Sequence, residues 1–287
     1  HSFTFNTGST ATFTGGGALV GGGTFGTGAF TPPRVSGTTP PPGSSGVPTN
    51  RKAVINFTGG PMADDAGAYI LKDYVKLFTV SGTTETDVSS SAILSVDLDN
   101  AKVNASVTLK PTFNSGAFAA SSAYRLKVLG GVKSSAGLAL GPPGQEASVF
   151  YTADFRTGTG SDVGAPTVLG TFPDNGGSAE VNLGGVSVSF SKDMDASTIT
   201  NSTVYLSIGS TTIVNANVEY RQLEKTAFLF PVNALTPDTV YTLNVTTGVK
   251  GVNGVAMAAA LARTFTTNNA DSTAPTITFA RADDYNV

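Results

Sequence analysis

Chemistry at neutral pH needs a base, a nucleophile or a set of metal ligands, and this sequence holds few of the residues that supply them. Its one histidine is His1, so no Ser-His-Asp set, histidine metal site or HExxH motif can be assembled. The α-amine and imidazole of His1 are a set able to take copper from an exposed terminus, but no other residue supports that site. Cysteine is absent, which excludes disulfides, thiolate zinc sites and cysteine nucleophiles. Carboxylates remain, in the pairs Asp64 and Asp65, Asp97 and Asp99, Asp193 and Asp195, and Asp283 and Asp284. Such pairs serve glycoside hydrolysis or calcium binding, yet each sits where a turn is expected and no EF-hand spacing occurs. Asp195, before Ala196-Ser197-Thr198, reads as the cap of a short helical turn. Asp97, Asp99 and Asn100 read as a hairpin turn.

Two further patterns carry no chemistry. The run GGGALVGGG (15–23) lacks the Lys-Ser/Thr of a phosphate loop, and no helix begins after it. Asn-x-Ser/Thr sequons stand at Asn56, Asn104, Asn201 and Asn244, about the number that a chain this rich in Ser and Thr produces by chance. No catalytic residue, metal ligand or cofactor is assigned, and the expectation is a protein that is not an enzyme.

The elements that would position any site are strands. Charged residues make up only 13% of the chain, against about 25% in average globular proteins. Thr, Val, Phe and Tyr favour pleated surfaces, while Gly, Pro, Asn and Asp supply turns. The net charge of -3 and a pI near 5.1 leave no basic patch for phosphates, which argues against nucleic acid as a partner. No stretch approaches the roughly 18–20 apolar residues of a membrane-spanning helix. Low charge with abundant Thr, Ser and Gly points to an exported, extracellular protein of a prokaryotic cell surface. A start at His1 reads as a processed or cut product.

The chain repeats itself with a long period. Residues 32–57 (PPRVSGTTPPPGSSGVPTNRKAVINF) align without gaps on 165–190 (APTVLGTFPDNGGSAEVNLGGVSVSF). GGPMADDA (59–66) faces SKDMDAST (191–198), and YVKLFTVSGT (74–83) faces VYLSIGSTT (204–212). SSAYRLKVLGGVKSSAGLAL (121–140) faces DTVYTLNVTTGVKGVNGVAM (238–257), and each copy closes on a Phe-bearing strand, at Phe155 and Phe265. Within each copy, apolar residues alternate with period two between turn clusters, as in half-buried antiparallel strands. Val186, Val188 and Phe190 share a face, as do Val214, Ala216, Val218 and Tyr220, and again Tyr241, Leu243 and Val245. The first copy offers Ala53, Ile55 and Phe57, then Leu94, Val96 and Leu98, then Tyr124, Leu126 and Val128. About seven short strands at this spacing predict a β-sandwich. Leu235-Thr-Pro237-Asp-Thr239-Val-Tyr241 reads as a tyrosine corner, and Phe118–Tyr124 repeats its spacing with Ala120 in place of Pro.

The run APTV-x(4)-P, then VSVSFSKDMDAST, then LTPDTVYTLNVTTGVKGVNG closing on FTT, resembles the bacterial Ig-like domain first described in S-layer proteins. The second copy matches nearly throughout; the first departs at Met62-Ala63-Asp64 and at Ala120. The resemblance implies an all-β chain of two tandem Ig-like Greek-key β-sandwiches, working as a spacer, lattice unit or adhesive module without chemistry of its own. The expected boundaries are a Gly-rich β-prone arm at 1–31, sandwich 1 at 32–158, sandwich 2 at 159–268 and a C-terminal strand or tail at 269–287.

The two ends lie outside the repeat. Nine of the first 30 residues are Gly, yet Phe3, Phe5, Phe13, Leu19 and Phe25 all fall on odd positions, giving a strand in this arm one apolar stripe. Glycine-rich strands specify register weakly and pair readily with other chains. Burying three or four such side chains contributes roughly 1.5–3 kcal/mol each, and ladder hydrogen bonds add about 1 kcal/mol each. Ala274-Pro275-Thr276-Ile277 echoes Ala165-Pro166-Thr167-Val168, so Ile277 and Phe279 belong to what reads as the first strand of a third copy. Either end serves as an assembly strand, or the arm is the tail of a preceding domain or folds back on sandwich 1, and the final strand is a cut boundary. The expected partners are copies of the chain itself, in a surface filament or S-layer joined by terminal strands. An adhesin or carbohydrate-binding module, and a spacer cut from a larger surface protein or enzyme, are the alternatives.

Overall fold

The computed structural model describes residues 31–209 and 212–268. Among these, eighteen strands alternate with turns and a few single-turn helices. In the first half, β1 (Arg34–Thr39), β2 (Ser44–Val47), β3 (Ala53–Thr58), β4 (Val75–Ser81) and β5 (Thr84–Asp87) lead to a single helical turn, α1 (Ser89–Ala92). β6 (Ile93–Leu98), β7 (Asn104–Leu109), β8 (Ala123–Leu129) and β9 (Val149–Thr157) follow. They form one sheet in the order β1-β3-β7-β6 and a second in the order β2-β9-β8-β4-β5.

The second half repeats this plan with β10 (Val168–Phe172), β11 (Gly177–Ala179), β12 (Val186–Phe190), β13 (Val204–Ile208) and β14 (Thr212–Ile213). β15 (Ala216–Arg221), β16 (Thr226–Pro231), β17 (Val240–Val245) and β18 (Leu261–Thr267) complete it. Its sheets run β10-β12-β16-β15 and β11-β18-β17-β13-β14. The first strand of each pair of sheets crosses over: β1 and β10 pair antiparallel with one sheet, then β2 and β11 pair parallel with the last strand of the other. Two Ig-like sandwiches result: the strand periodicity implies a sandwich, and the family resemblance implies its Ig-like form.

Each sandwich has its own core. Ile55, Phe57, Leu77, Val107, Leu126 and Phe155 fill the first, and Val188, Phe190, Leu206, Leu229, Leu243 and Phe265 fill the second. The tyrosine corners are built alike. The Tyr124 hydroxyl accepts the Ala119 N–H at 2.9 Å and the Tyr241 hydroxyl accepts the Thr236 N–H at 2.7 Å. Thr157 and Thr267 brace the two corners through matching bonds to Ala119 O and Thr236 O. Ala120 in place of Pro therefore leaves the motif intact, because the hydroxyl's partner is a backbone N–H that neither residue supplies.

One strand departs from its expected face. Leu94 does not join Val96 and Leu98 inside; it is 48% exposed while Ile93 is buried. A register shift between Ile93 and Ser95 against β7 is the cause: the extra residue of a bulge turns the preceding side chain to the opposite face.

Candidate functional site: the joint between the sandwiches

Polar residues converge most densely where the sandwiches meet. The turn between β2 and β3 carries Asn50, Arg51 and Lys52, and the outer face of β3 and β7 carries Val54, Asn104 and Ser106. Onto these comes one end of sandwich 2, made of the Asp193–Thr198 segment after β12, the end of β15 at Tyr220, and the Val252–Asn253 turn. The helical turn Ala196–Thr198 packs against β6 and β7. Val54 and Val252 are 0% and 3% exposed yet belong to neither core. Both are buried at the joint, where the Lys52 N–H donates to Val252 O at 2.5 Å.

Two ion pairs cross the joint. Arg51 pairs with Asp193, and Lys52 with Asp195 at 2.6 Å. The Asp195 side chain is only 2% exposed, and its carboxylate also accepts from the hydroxyls of Ser106 and Ser197 and from the Ser197 N–H. A buried carboxylate must find this many donors, because desolvation penalises whatever is left unpaired. Pairs of this kind add little net stability over an apolar contact, but they penalise every orientation that separates them. Asn104 spans the boundary: it donates to Tyr220 O at 3.0 Å and to the Asp99 carboxylate at 2.7 Å, and accepts from Asn56 at 2.6 Å. Burial pushes the Asp99 carboxyl up, against the bonds it accepts from Asn104 and Val103. Burial also pushes the Tyr220 hydroxyl up; it accepts the Met194 N–H at 2.9 Å and so holds the docking segment from beneath.

The connecting segment is tied to both sides. From sandwich 1, the Asn50 carboxamide donates to Asp162 O and Asn253 O and accepts the Asp162 N–H, all at 2.8 Å. From sandwich 2, Asn253 donates to Gly164 O at 2.9 Å, and Lys192 donates to Gly164 O and to the Asp162 carboxylate. The Lys192 ammonium, with the Gly164 N–H, holds the Asp162 carboxyl below its usual range. A linker this rich in Gly and Ser would swing freely if its backbone faced water; here side chains of both neighbours engage the Asp162 backbone and the Gly164 carbonyl.

The carboxylate pairs noted in the sequence have separate uses. Asp195 caps the helical turn as expected and is also half of an ion pair across the joint. Asp99 closes the turn between β6 and β7. Asp64 pairs with Lys102, Asp65 accepts the Leu71 N–H, and Asp97 accepts from Ser95 and Thr108. Among the described residues, no group of three or more His, Cys, Asp or Glu is placed to hold a metal ion. His1, the pair Asp283 and Asp284, and the assembly-strand residues Phe3, Phe5, Phe13, Leu19, Phe25, Ile277 and Phe279 lie outside the described residues.

The joint itself escaped the reading of single motifs. Its signal was present in the repeat: Asn50-Arg51-Lys52 stands opposite Leu183-Gly184-Gly185, and Asp193 and Asp195 stand opposite Pro61 and Ala63. Cations peculiar to one copy and carboxylates peculiar to the other are what a contact between the copies requires.

Both sandwiches fall within what one known family describes. A family model, the bacterial Ig-like domain, matches residues 29–157 and again 162–267. No curated protein matches the sequence. Among solved structures, a chimeric titin Z1Z2 is 11% identical, with 84% of this chain and 97% of that chain covered and a TM-score of 0.30. The S-layer protein SbsC is 17% identical over 83% of this chain, with a TM-score of 0.31; the match spans 26% of that protein's chain. The N-terminal Ig1-2 module of the Drosophila receptor protein tyrosine phosphatase DLAR is 11% identical, covering 83% and 98%, with a TM-score of 0.22. No helix among the described residues is long and apolar enough to cross a membrane. With two copies matched over more than half of its length, the chain belongs to the bacterial Ig-like domain family.

Proposed function

We propose that the chain is a structural subunit of an extracellular assembly on a cell surface, a filament or S-layer built from copies of itself. The observation that carries this reading is the joint. Its ion pairs, bridging asparagines and a linker pinned at Asp162 and Gly164 hold two Ig-like modules at one angle, as a lattice or filament element needs and a flexible tether does not. The terminal segments are the expected connectors. The in-phase residues Phe3, Phe5, Phe13, Leu19 and Phe25, and the module-like opening at Ile277 and Phe279, supply strands of the kind that complete a neighbour's sheet by donor-strand addition. The role is noncatalytic, and the partner is a second copy rather than nucleic acid.

Negative-stain electron microscopy of the intact chain at neutral pH tests the reading. Regular filaments or sheets are expected, lost when residues 1–31 or 274–287 are removed. Isolated particles at all concentrations would overturn it in favour of a spacer or adhesin.

A further inference from the structure

The internal repeat gives every joint residue a counterpart in the other sandwich. The correspondence rests on shared backbone bonds. Asp195 N–H donates to Lys250 O as Ala63 N–H donates to Lys133 O, and Phe190 N–H to Lys225 O as Phe57 N–H to Val103 O. The strand pairing Asn56↔Asn104 likewise matches Ser189↔Thr226. On the landing face, Arg51 and Lys52 are thereby replaced in sandwich 2 by Gly184 and Gly185, and Ser106 and Thr108 by Phe228 and Phe230. On the docking end, Asp193 and Asp195 are replaced in sandwich 1 by Pro61 and Ala63, and Asn253 by Ala136. At these positions both halves have exchanged charge for uncharged residues, while Val54 and Val252 are matched by Ser187 and Ser135. Bringing these two halves together therefore leaves no partner of a joint ion pair unpaired.

The landing face is unusual for an outer surface. Along β16, Ala227 and Leu229 point into the core, so alternation turns Phe228 and Phe230 outward, where both are half-buried. Their rings stack at 6.2 Å between centroids and are within 10° of parallel. Phe230 lies over Gly185, where a Cβ would come within 3.1 Å of the ring, and the Arg221 guanidinium sits 4.3 Å from the centre of Phe228. Glycine at 185 is thus what lets the ring lie down on the sheet. At the docking end, Pro61, Ser135 and Ala136 are exposed, whereas Val252 and Asn253, the counterparts of the last two, are buried in the joint. The carboxylates nearby, Asp64 and Asp65, are already engaged within sandwich 1.

We propose that the outer face of the β10-β12-β16-β15 sheet, centred on Phe228 and Phe230, is the landing site for the Pro61–Ala63 end of a second copy of this chain. The contact repeats the internal joint between molecules, with aromatic and proline surface in place of its ion pairs. It joins two different surfaces, so it propagates head to tail instead of closing a symmetric dimer. The inference rests on the reading of the chain as a self-assembling subunit and names a contact distinct from the terminal strands.

The test is sedimentation velocity of the full chain over a range of concentrations, with thermal unfolding as a check on folding. F228S/F230T installs the residue types that sandwich 1 carries at the same positions. It is expected to weaken self-association at least tenfold while the chain still unfolds in a cooperative transition. On the opposite half, A63D is expected to weaken it as strongly, by bringing a carboxylate against the rings. Because the chain has no cysteine, S187C chains mixed with S135C chains report the contact directly, and a disulfide-linked heterodimer is expected. Association that survives both variants but is lost on removing residues 1–30 or 269–287 overturns this contact and leaves the terminal-strand assembly standing. A wild-type chain that stays monomeric throughout, or one whose rings bind a glycan while it stays monomeric, overturns both.

Discussion

The two sandwiches share an interior and differ in what they show outside. Met62 and Met194 are both fully buried, each beside a bridge to the turn after the penultimate strand, Met62 to Ser134 and Met194 to Gly251. Tyr124 and Tyr241 close the same corner, and each stacks on the Phe of the last strand, both pairs at 5.6 Å. Outside, Arg125 on β8 faces Asp154 on β9, while the same pair of positions in sandwich 2 holds Thr242 and Thr264. Interior positions answer to packing, which both copies must satisfy in the same way. Exterior positions answer to whatever each copy touches, and the copies touch different things.

The strongest way to break this comparison is in the cores. Met62→Ala and Met194→Ala are each expected to cost about 2–5 kcal/mol in their own sandwich, the range for a large apolar side chain truncated in a core. The two costs should agree within about 1 kcal/mol, measured by denaturant unfolding; a clearly unequal pair would show that the interiors are not equivalent. Next in size is the joint. Asp195→Ala gives sandwich 2 the residue that sandwich 1 has at Ala63. It removes the partner of Lys52, an acceptor for Ser106 and the cap of the helical turn, costing about 2 kcal/mol once partial exposure of Lys52 is allowed for. Small-angle scattering should then show a wider spread of angles between the sandwiches, and an unchanged profile would mean that the ion pairs do not set the geometry.

The smallest effect concerns acid. On sandwich 1, hydrogen bonds from Lys127 and Arg125 hold the Glu85 carboxyl low, and Arg125 holds Asp154 low. Groups whose folded values lie below their unfolded ones contribute stability at neutral pH that is lost as pH falls through the folded values, here below about pH 4. Sandwich 2 has Thr242, Asn244 and Thr264 at the positions of Arg125, Lys127 and Asp154. Its melting temperature should fall less between pH 5 and pH 2.5, and E85T/R125T/K127N/D154T should bring sandwich 1 down to the same shallow slope.

How much of this was legible in the sequence follows the same division. Apolar alternation, the Phe of the closing strands and the tyrosine-corner spacing could be read because burial imposes a period that one chain shows by itself. The Leu94 position was misread because a bulge breaks that period without leaving a mark in residue type. Asp195 was readable as a cap, since capping is local, but its pairing with Lys52 was not, since nothing local joins residues so far apart in the chain. Tyr220 counted as a core residue and is one, yet its carbonyl and hydroxyl both serve the joint, while its counterpart Leu98 does neither. Only a copy-against-copy comparison exposes residues of this kind.

The parallel pairing of β2 with β9 and of β11 with β18 has a mechanical consequence. In each sandwich the second strand and the departing strand lie side by side and run the same way, Ser44 level with Phe155 and Val47 with Thr157, then Gly177 level with Phe265 and Ala179 with Thr267. A pull on the two ends of a sandwich therefore draws these neighbours past each other along their length. Every bond between them is strained together, where an antiparallel hairpin gripped at its open end would yield one bond at a time. Tension carried along the chain thus meets each module in its stiffest direction.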